Sequence, residues 1–181
     1  MLLLLVAVAG HATANPQQRN THLVSLSASG GLSGVARQLG RGGYELSDGT
    51  PISFHRWYSS KWRNVDAVWM TQVTPGFGVF WGFGTGERGE KYEIEPSVKV
   101  GFLRIWDVSR NAVLSLSMTA TLGGRFLENP CTANYGAIGG TQRVNCRLAA
   151  SPLPPSETLK YLYRSPPQNQ FAVRLRYKFE F

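Results

Sequence analysis

Apolar and polar residues alternate strictly along several stretches of this chain. In residues 171–181, FAVRLRYKFEF, every odd position is apolar, whereas the even positions hold one alanine and four charged residues. Because successive side chains of a β-strand point to opposite faces, this segment is expected to be a strand with one apolar and one charged face. The apolar face must contact either a protein core or lipid.

Other segments show the same period of two, some of them more weakly, and together they predict an all-β fold. They are residues 22–29, 51–58, 64–73, 76–86, 91–106 and 111–122. An eighth strand would come from residues 31–48, although the spacing of their apolar positions also fits a helix, or from within residues 123–170. The polarity pattern therefore leaves this one region open between strand and helix.

The connections between these segments differ greatly in length. Pro75 and Gly76 form a tight turn and residues 107–111 another, while residues 84–91 form a longer, glycine-rich hairpin tip. Residues 123–170 form a long loop that holds both cysteines and most of the prolines, with a short helix expected from about Ser156 to Pro166.

Several features favour lipid over a protein core as the partner of the apolar faces. The patterned segments reach 9 residues or more, the length at which a tilted strand crosses a bilayer. Aromatic residues such as Tyr92 and Trp106 stand near strand ends, as in the aromatic girdles of membrane barrels. The opposite parity of residues 76–84 carries four glycines, Gly76, Gly78, Gly82 and Gly84, which suits a barrel lumen better than a solvent-facing surface.

The N-terminus has the form of a secretory signal peptide. Residues 1–14 contain an apolar run followed by Ala-Thr-Ala, so the mature domain is expected to cover residues 15–181. Beyond it, no stretch reaches the roughly 18 consecutive apolar residues of a membrane-spanning helix.

The two cysteines, Cys131 and Cys146, are expected to form a disulfide, because export leads to an oxidising compartment. A metal site is the rival interpretation, but no further His or Cys lies in this region to complete a ligand set. No metal site is therefore predicted.

The formal net charge is +8, but the basic residues are scattered along many segments and do not form one stripe. An exported protein of this kind is not expected to bind nucleic acid. Lipopolysaccharide and other anionic membrane surfaces are the more natural partners.

The C-terminal segment resembles the assembly signal of Gram-negative outer-membrane β-barrels. In that signal the last residue is aromatic and apolar residues precede it at every second position, as Phe181, Phe179, Tyr177, Leu175 and Val173 do here. The resemblance implies a location in the bacterial outer membrane and recognition by the barrel assembly machinery. It also implies a closed, antiparallel up-and-down transmembrane barrel, here of eight strands, with the long loop outside the cell.

A second set of residues is expected to face the lumen of such a barrel. It comprises Glu93, Glu95, Lys99, Arg174, Arg176, Lys178 and Glu180. A narrow, water-poor interior requires ions to pair, so a salt-bridged filling is favoured over a small anion-selective pore.

Catalytic chemistry has only weak candidates. His55 shares a parity with Ser53, and Asp66 follows on the next strand, but a polar lumen group explains His55 more simply. No cofactor is predicted, because the GTGERG segment at residues 84–89 precedes a strand, whereas a dinucleotide site needs a helix there.

The expected function is a structural or binding role in the outer membrane. The alternatives are an outer-membrane enzyme that modifies lipid A or phospholipid and, third, a soluble exported barrel similar to lipocalins.

Overall fold

A computed structural model describes residues 20–29 and 32–179 of the chain. The predicted signal peptide, residues 1–14, lies outside the described residues, as do Glu180 and Phe181.

Antiparallel β-structure dominates the described residues, as the alternating pattern predicts. The strands are β1 (Thr21–Ala28), β2 (Gly43–Glu45), β3 (Pro51–Ser53), β4 (Ser60–Trp62), β5 (Val65–Thr74), β6 (Phe77–Gly84), β7 (Glu87–Gly89), β8 (Tyr92–Ile94), β9 (Ser97–Ser109), β10 (Ala112–Gly123), β11 (Phe126–Glu128), β12 (Cys131–Asn134), β13 (Thr141–Val144) and β14 (Gln170–Phe179). The helices are α1 (Gly34–Leu39), α2 (Gly136–Gly139) and α3 (Pro155–Thr158), with 3₁₀ turns at Phe54–Arg56, Cys146–Leu148 and Leu159–Tyr161.

Six strands form one long antiparallel sheet in the order β1-β5-β6-β9-β10-β14. We call it the long sheet. Its neighbouring strands also follow one another in chain order, so the long sheet is an up-and-down meander. Tight turns at residues 75–76 and 110–111 join strands at one end, whereas all the longer connections leave from the other end.

The register across the long sheet separates two faces. One row of directly paired residues runs Leu23, Trp69, Trp81, Val100, Ala120 and Phe171 across all six strands. A second row runs Ser25, Val68, Gly82, Lys99, Thr121 and Gln170 on the opposite side. The period-two pattern of the single strands thus becomes one largely apolar face, which also carries Arg104 between Phe77 and Leu116, and one mainly polar face.

The long sheet curves toward its polar face. A Cβ atom added at Gly82 would lie 2.3 Å from the carbonyl oxygen of Ala67, and one at Gly101 would lie 2.3 Å from that of Met118. Glycine in a strand commonly marks such a close approach of neighbouring backbone. Side chains from four of the strands also enclose a cleft on this face, so the polar face is concave and the apolar face is convex.

The strand count and closure differ from the predicted barrel of eight strands. Within residues 20–29 and 32–179, no pairing joins β1 to β14, so the long sheet is an open one with two edges. Residues 31–48 provide α1 and β2, because Ser33 caps a helix there by accepting a hydrogen bond from the amide of Ala36. Residues 51–58 provide only β3 and a 3₁₀ turn.

A second region packs at the end from which the long connections leave. We call it the capping module, defined as residues 32–64, 85–96 and 124–169. It contains a four-stranded sheet in the order β11-β8-β7-β4 and two small hairpins, β2–β3 and β12–β13. The predicted loop of residues 123–170 belongs largely to this module.

The main hydrophobic cluster of buried residues lies in the capping module and is centred on Ala36, Tyr58, Tyr92 and Phe126. The rings of Tyr92 and Phe126 stack with centroids 5.2 Å apart, and those of Tyr58 and Tyr92 with centroids 6.2 Å apart. Tyr92 is 1% exposed, so the expectation that it belongs to an aromatic girdle is wrong.

Each helix in the described part of the chain is too short to span a membrane.

Candidate functional site

The concave face of the long sheet carries a cleft of about 300 Å³. Its lining comes from β6, β9, β10 and β14 and comprises Phe80, Leu103, Ser115, Ser117, Thr119, Ala172, Arg174 and Arg176. Strand register explains why these residues meet. Arg176 pairs with Ser115 and Arg174 with Ser117, so each guanidinium-bearing residue stands beside a hydroxyl-bearing one on the same face.

The cleft has an excess of positive charge. Among the described residues, no carboxylate lies within 4.0 Å of the guanidinium nitrogens of Arg174 or Arg176. Lys99 on the same face is instead paired, with its Nζ 2.7 Å from Oδ1 of Asp66. Two arginines beside serine and threonine hydroxyls can bind an anion such as a phosphate or carboxylate group.

The predicted set of lumen charges is divided between the two regions. Lys99, Arg174, Arg176 and Lys178 share the polar face of the long sheet. Glu93 lies in β8 of the capping module, where its Oε1 is 2.9 Å from Nη2 of Arg88. Glu95 follows β8 and approaches Arg125 at 3.9 Å, and Glu180 lies outside the described residues.

Pro96 explains this division. A proline has no amide hydrogen and cannot continue a central ladder, so it separates β8 from β9. The alternation of residues 91–106 looks continuous in the sequence, but its two halves belong to different sheets. The carboxylates of the first half therefore do not face the cations of the last strand.

The weak catalytic candidates are not assembled into a triad. Ser53 ends β3 and His55 lies in the next 3₁₀ turn, both exposed in the capping module. Asp66 lies in β5, where it binds Lys99 and accepts a hydrogen bond of 2.8 Å from the side-chain amide of Asn64. In the described part of the chain no hydrogen bond joins any two of Ser53, His55 and Asp66.

The sequence patterns missed a buried carboxylate in the capping module, that of Glu128. It accepts hydrogen bonds from the hydroxyl of Tyr58, from Nε and Nη2 of Arg147 at 3.1 and 3.0 Å, and from the amide of Tyr163 at 2.6 Å. Burial, followed by the hydrogen bond to Glu128, raises the pKa of the Tyr58 hydroxyl well above its ordinary value. These contacts compensate the charge of a residue that is only 3% exposed.

Glu87 forms a second buried site of the same kind. It accepts a hydrogen bond from the hydroxyl of Tyr92 and a longer one, 3.4 Å, from the amide of Ser33. Burial and the neighbouring carboxylate raise the pKa of the Tyr92 hydroxyl. Glu128 and Tyr58 are 70 residues apart in the sequence, so no local spacing indicates that contact. Glu87 is bound by Tyr92, five residues away, and by Ser33, 54 residues away.

The predicted disulfide between Cys131 and Cys146 is confirmed, with the two Cα atoms 5.0 Å apart. It joins the start of β12 to the 3₁₀ turn that follows β13. The bond therefore closes the β12–β13 hairpin next to Arg147 and its partner Glu128.

The apolar residues of the predicted assembly signal lie together on the convex face. Val173, Leu175 and Tyr177 pair with Met118, Leu116 and Leu114 of β10. Phe179 pairs with Ala112 on the same face. These residues continue the apolar surface of the neighbouring strands to the edge of the long sheet.

No protein-family model, curated protein or solved structure matches this chain.

Proposed function

We propose that this protein is a bacterial outer-membrane protein, in which the long sheet forms a wall in the lipid and the capping module is presented outside the cell. The role that follows is structural or binding, namely surface contact or docking, with the cationic cleft facing water. The observation that carries the proposal is that the apolar face of the long sheet is its convex face.

The convex face exposes many large apolar side chains. They include Leu23, Leu26, Trp81, Phe83, Val98, Val100, Met118, Leu122, Phe171, Val173, Leu175 and Tyr177. A soluble monomer rarely leaves a continuous apolar surface of this extent in water. Acyl chains are the partner that such a wall fits, because they are apolar and need no hydrogen bonds.

Strand length and topology also support insertion. β5, β9, β10 and β14 have 10 to 13 residues, whereas a tilted strand needs about 9–11 to cross a bilayer. Outer-membrane barrels have short turns on the periplasmic side and long loops outside. Since the tight turns lie at the end opposite the capping module, that module is the part expected outside.

The alternative functions have less support. A soluble barrel of the lipocalin kind holds its ligand inside an apolar interior, but here serine, threonine and arginine line the concave side together with Phe80, Leu103 and Ala172. A lipid-modifying enzyme would need its nucleophile and base in contact, and the described residues do not bring Ser53, His55 and Asp66 together.

The test uses tryptophan fluorescence in vesicles made with brominated lipids, which quench an indole that contacts acyl chains. Two variants each retain one tryptophan, with the remaining ones replaced by Phe. Trp81 lies on the convex face at 44% exposure, and Trp62 lies in the capping module at 54% exposure. We expect bromine to quench Trp81 strongly and Trp62 little. Equal quenching of the two, or none at Trp81, would contradict insertion.

A further inference from the structure

The two edges of the long sheet differ from its inner strands in exposure. Every residue of β14 described here is exposed, with Phe171 at 78% and Leu175 at 67%, and every residue of β1 is exposed too. On the inner strands, exposure is lower for residues such as Trp81 at 44% and Val100 at 42%, although Val98 reaches 54%. No strand among residues 20–29 and 32–179 pairs with the outer side of β1 over residues 21–28 or with that of β14 over residues 170–177.

An open edge cannot remain so inside a bilayer. A backbone amide or carbonyl that lacks a hydrogen bond is strongly unfavourable in hydrocarbon. Membrane sheets therefore close on themselves or on a partner. This step rests on the proposed function, since water would satisfy the same groups in a soluble protein.

The two edges are complementary to one another. In a six-stranded meander the first and last strands run in opposite directions, so β1 of one molecule can pair antiparallel with β14 of another. Both edges also present apolar side chains on the convex face and polar ones on the concave face. Such pairing would continue both faces without interruption.

Closure within one chain would leave too little room. Eight strands already give an interior just wide enough for side chains to fill, and transmembrane barrels begin at that number. Six strands would have to enclose Phe80, Leu103, Arg174 and Arg176. They would also bury two guanidinium groups that have no carboxylate partner among the described residues.

We infer that two copies of this chain close one barrel, in which β1 of each copy pairs with β14 of the other. Two six-stranded sheets give twelve strands, an even number that keeps every neighbour antiparallel. The lumen is then wide enough to hold water around Arg174 and Arg176, which removes the cost of burying them. A two-fold axis along the barrel makes the two edge contacts equivalent.

The test pairs cysteines on separate chains. One tagged chain carries Leu23→Cys on the convex face of β1, and a second, differently tagged chain carries Phe171→Cys, Val173→Cys or Leu175→Cys on the same face of β14. The matched control is Ala172→Cys, which lies on the opposite face. Cys131 and Cys146 already form a disulfide, so they do not compete with the introduced cysteines for crosslinking.

We expect oxidation in membranes to link the two tagged chains for at least one convex-face pair and not for Ala172→Cys. Wild-type protein in mild detergent should have twice the monomer's mass. Three results would each overturn the two-chain barrel: a monomeric mass, crosslinks that form only when both cysteines are in one chain, or no crosslink in membranes although the protein is folded.

The two proposals fail separately. Quenching of Trp81 by brominated lipid together with a monomeric mass would overturn the two-chain barrel but support membrane insertion. A dimeric mass without quenching of Trp81 would overturn membrane insertion. Where a cysteine variant does not fold, the mass of the wild-type protein still decides between one chain and two.

Discussion

The long sheet and the capping module differ in the burial of their apolar side chains. The module buries Tyr58, Tyr92 and Phe126 almost completely and supplies the tyrosine hydroxyls with carboxylate partners. The long sheet leaves its apolar face uncovered and buries hardly any large side chain. One region therefore has a buried core, while the other exposes a largely apolar surface, as the proposed contact with lipid would require.

The partition of charge follows the same division. Most of the ion pairs among the described residues lie in the capping module, whereas Lys99 and Asp66 form a pair within the long sheet. The module can thus be destabilised by removing a polar partner, and the sheet by adding a charge to its apolar face. Variants that separate these two responses test the comparison directly.

The largest effect is expected for Glu128→Ala in the capping module. The change leaves Arg147 and Tyr58 without their shared acceptor, and removal of one partner of a buried ion pair costs about 3–5 kcal/mol. Proteolysis of the module on whole cells should increase strongly, while the heat-modifiable gel migration of the sheet remains. The matched control is Glu157→Ala, whose exposed pair with Lys160 is worth about 0–1 kcal/mol. Equal proteolysis of the two variants would show that Glu128 does not hold the module together.

Leu116→Arg tests the face of the long sheet. If the convex face contacts lipid as proposed, arginine near mid-strand on that face should cost about 2–4 kcal/mol of membrane stability. The adjacent Ser117→Arg, which points into the cleft, should cost less. Urea titration of both variants folded into vesicles measures the difference. If Ser117→Arg proved the more harmful, the two faces would be assigned the wrong way round.

Cys131→Ser should act inside the capping module alone. A closed loop of 15 residues is worth about 3 kcal/mol in the loop-entropy model, and the bond holds only the β12–β13 hairpin. Trypsin added to intact cells should then cut after Arg143, which is exposed, before it cuts after Arg147, which Glu128 binds. Heat-modifiability of the sheet should stay unchanged. Cleavage that requires a permeabilised outer membrane would place the module on the periplasmic side.

The smallest effect is expected for Gly82→Ala in β6. The new methyl group would lie 2.3 Å from the carbonyl oxygen of Ala67, and overpacking of this kind costs about 1–3 kcal/mol. Gly78→Ala in the same strand is the control, because its nearest neighbour is the flexible side chain of Met70 at 3.1 Å. Folding yields in detergent should fall for Gly82→Ala and hardly at all for Gly78→Ala. Similar yields would mean that the curvature of the sheet does not depend on this close approach.

Much of the long sheet could be read from local pattern, but its boundaries could not. The segment 91–106 alternates across Pro96, and only the pairing of β8 with β7 and β11 shows that its first residues belong elsewhere. The segment 51–58 carries apolar residues but contributes just three residues to a strand. In both places tertiary contacts decide the outcome, because strand propensity is a weak preference that neighbours override.

The sequence by itself determined the two faces of β6, β9, β10 and β14 and the pairing of the cysteines. Both follow from properties that need no distant neighbour: the period of two in an extended backbone and the presence of just two cysteines in the chain. The faces of β1 also depend on a register shift between Leu23 and Ser25. Only the tertiary structure decided how many strands share one sheet, which face is convex, and which residues surround Glu128. These depend on contacts between segments such as residues 58, 128 and 147, whose meeting is set by the packing of the whole module and leaves no mark in local spacing.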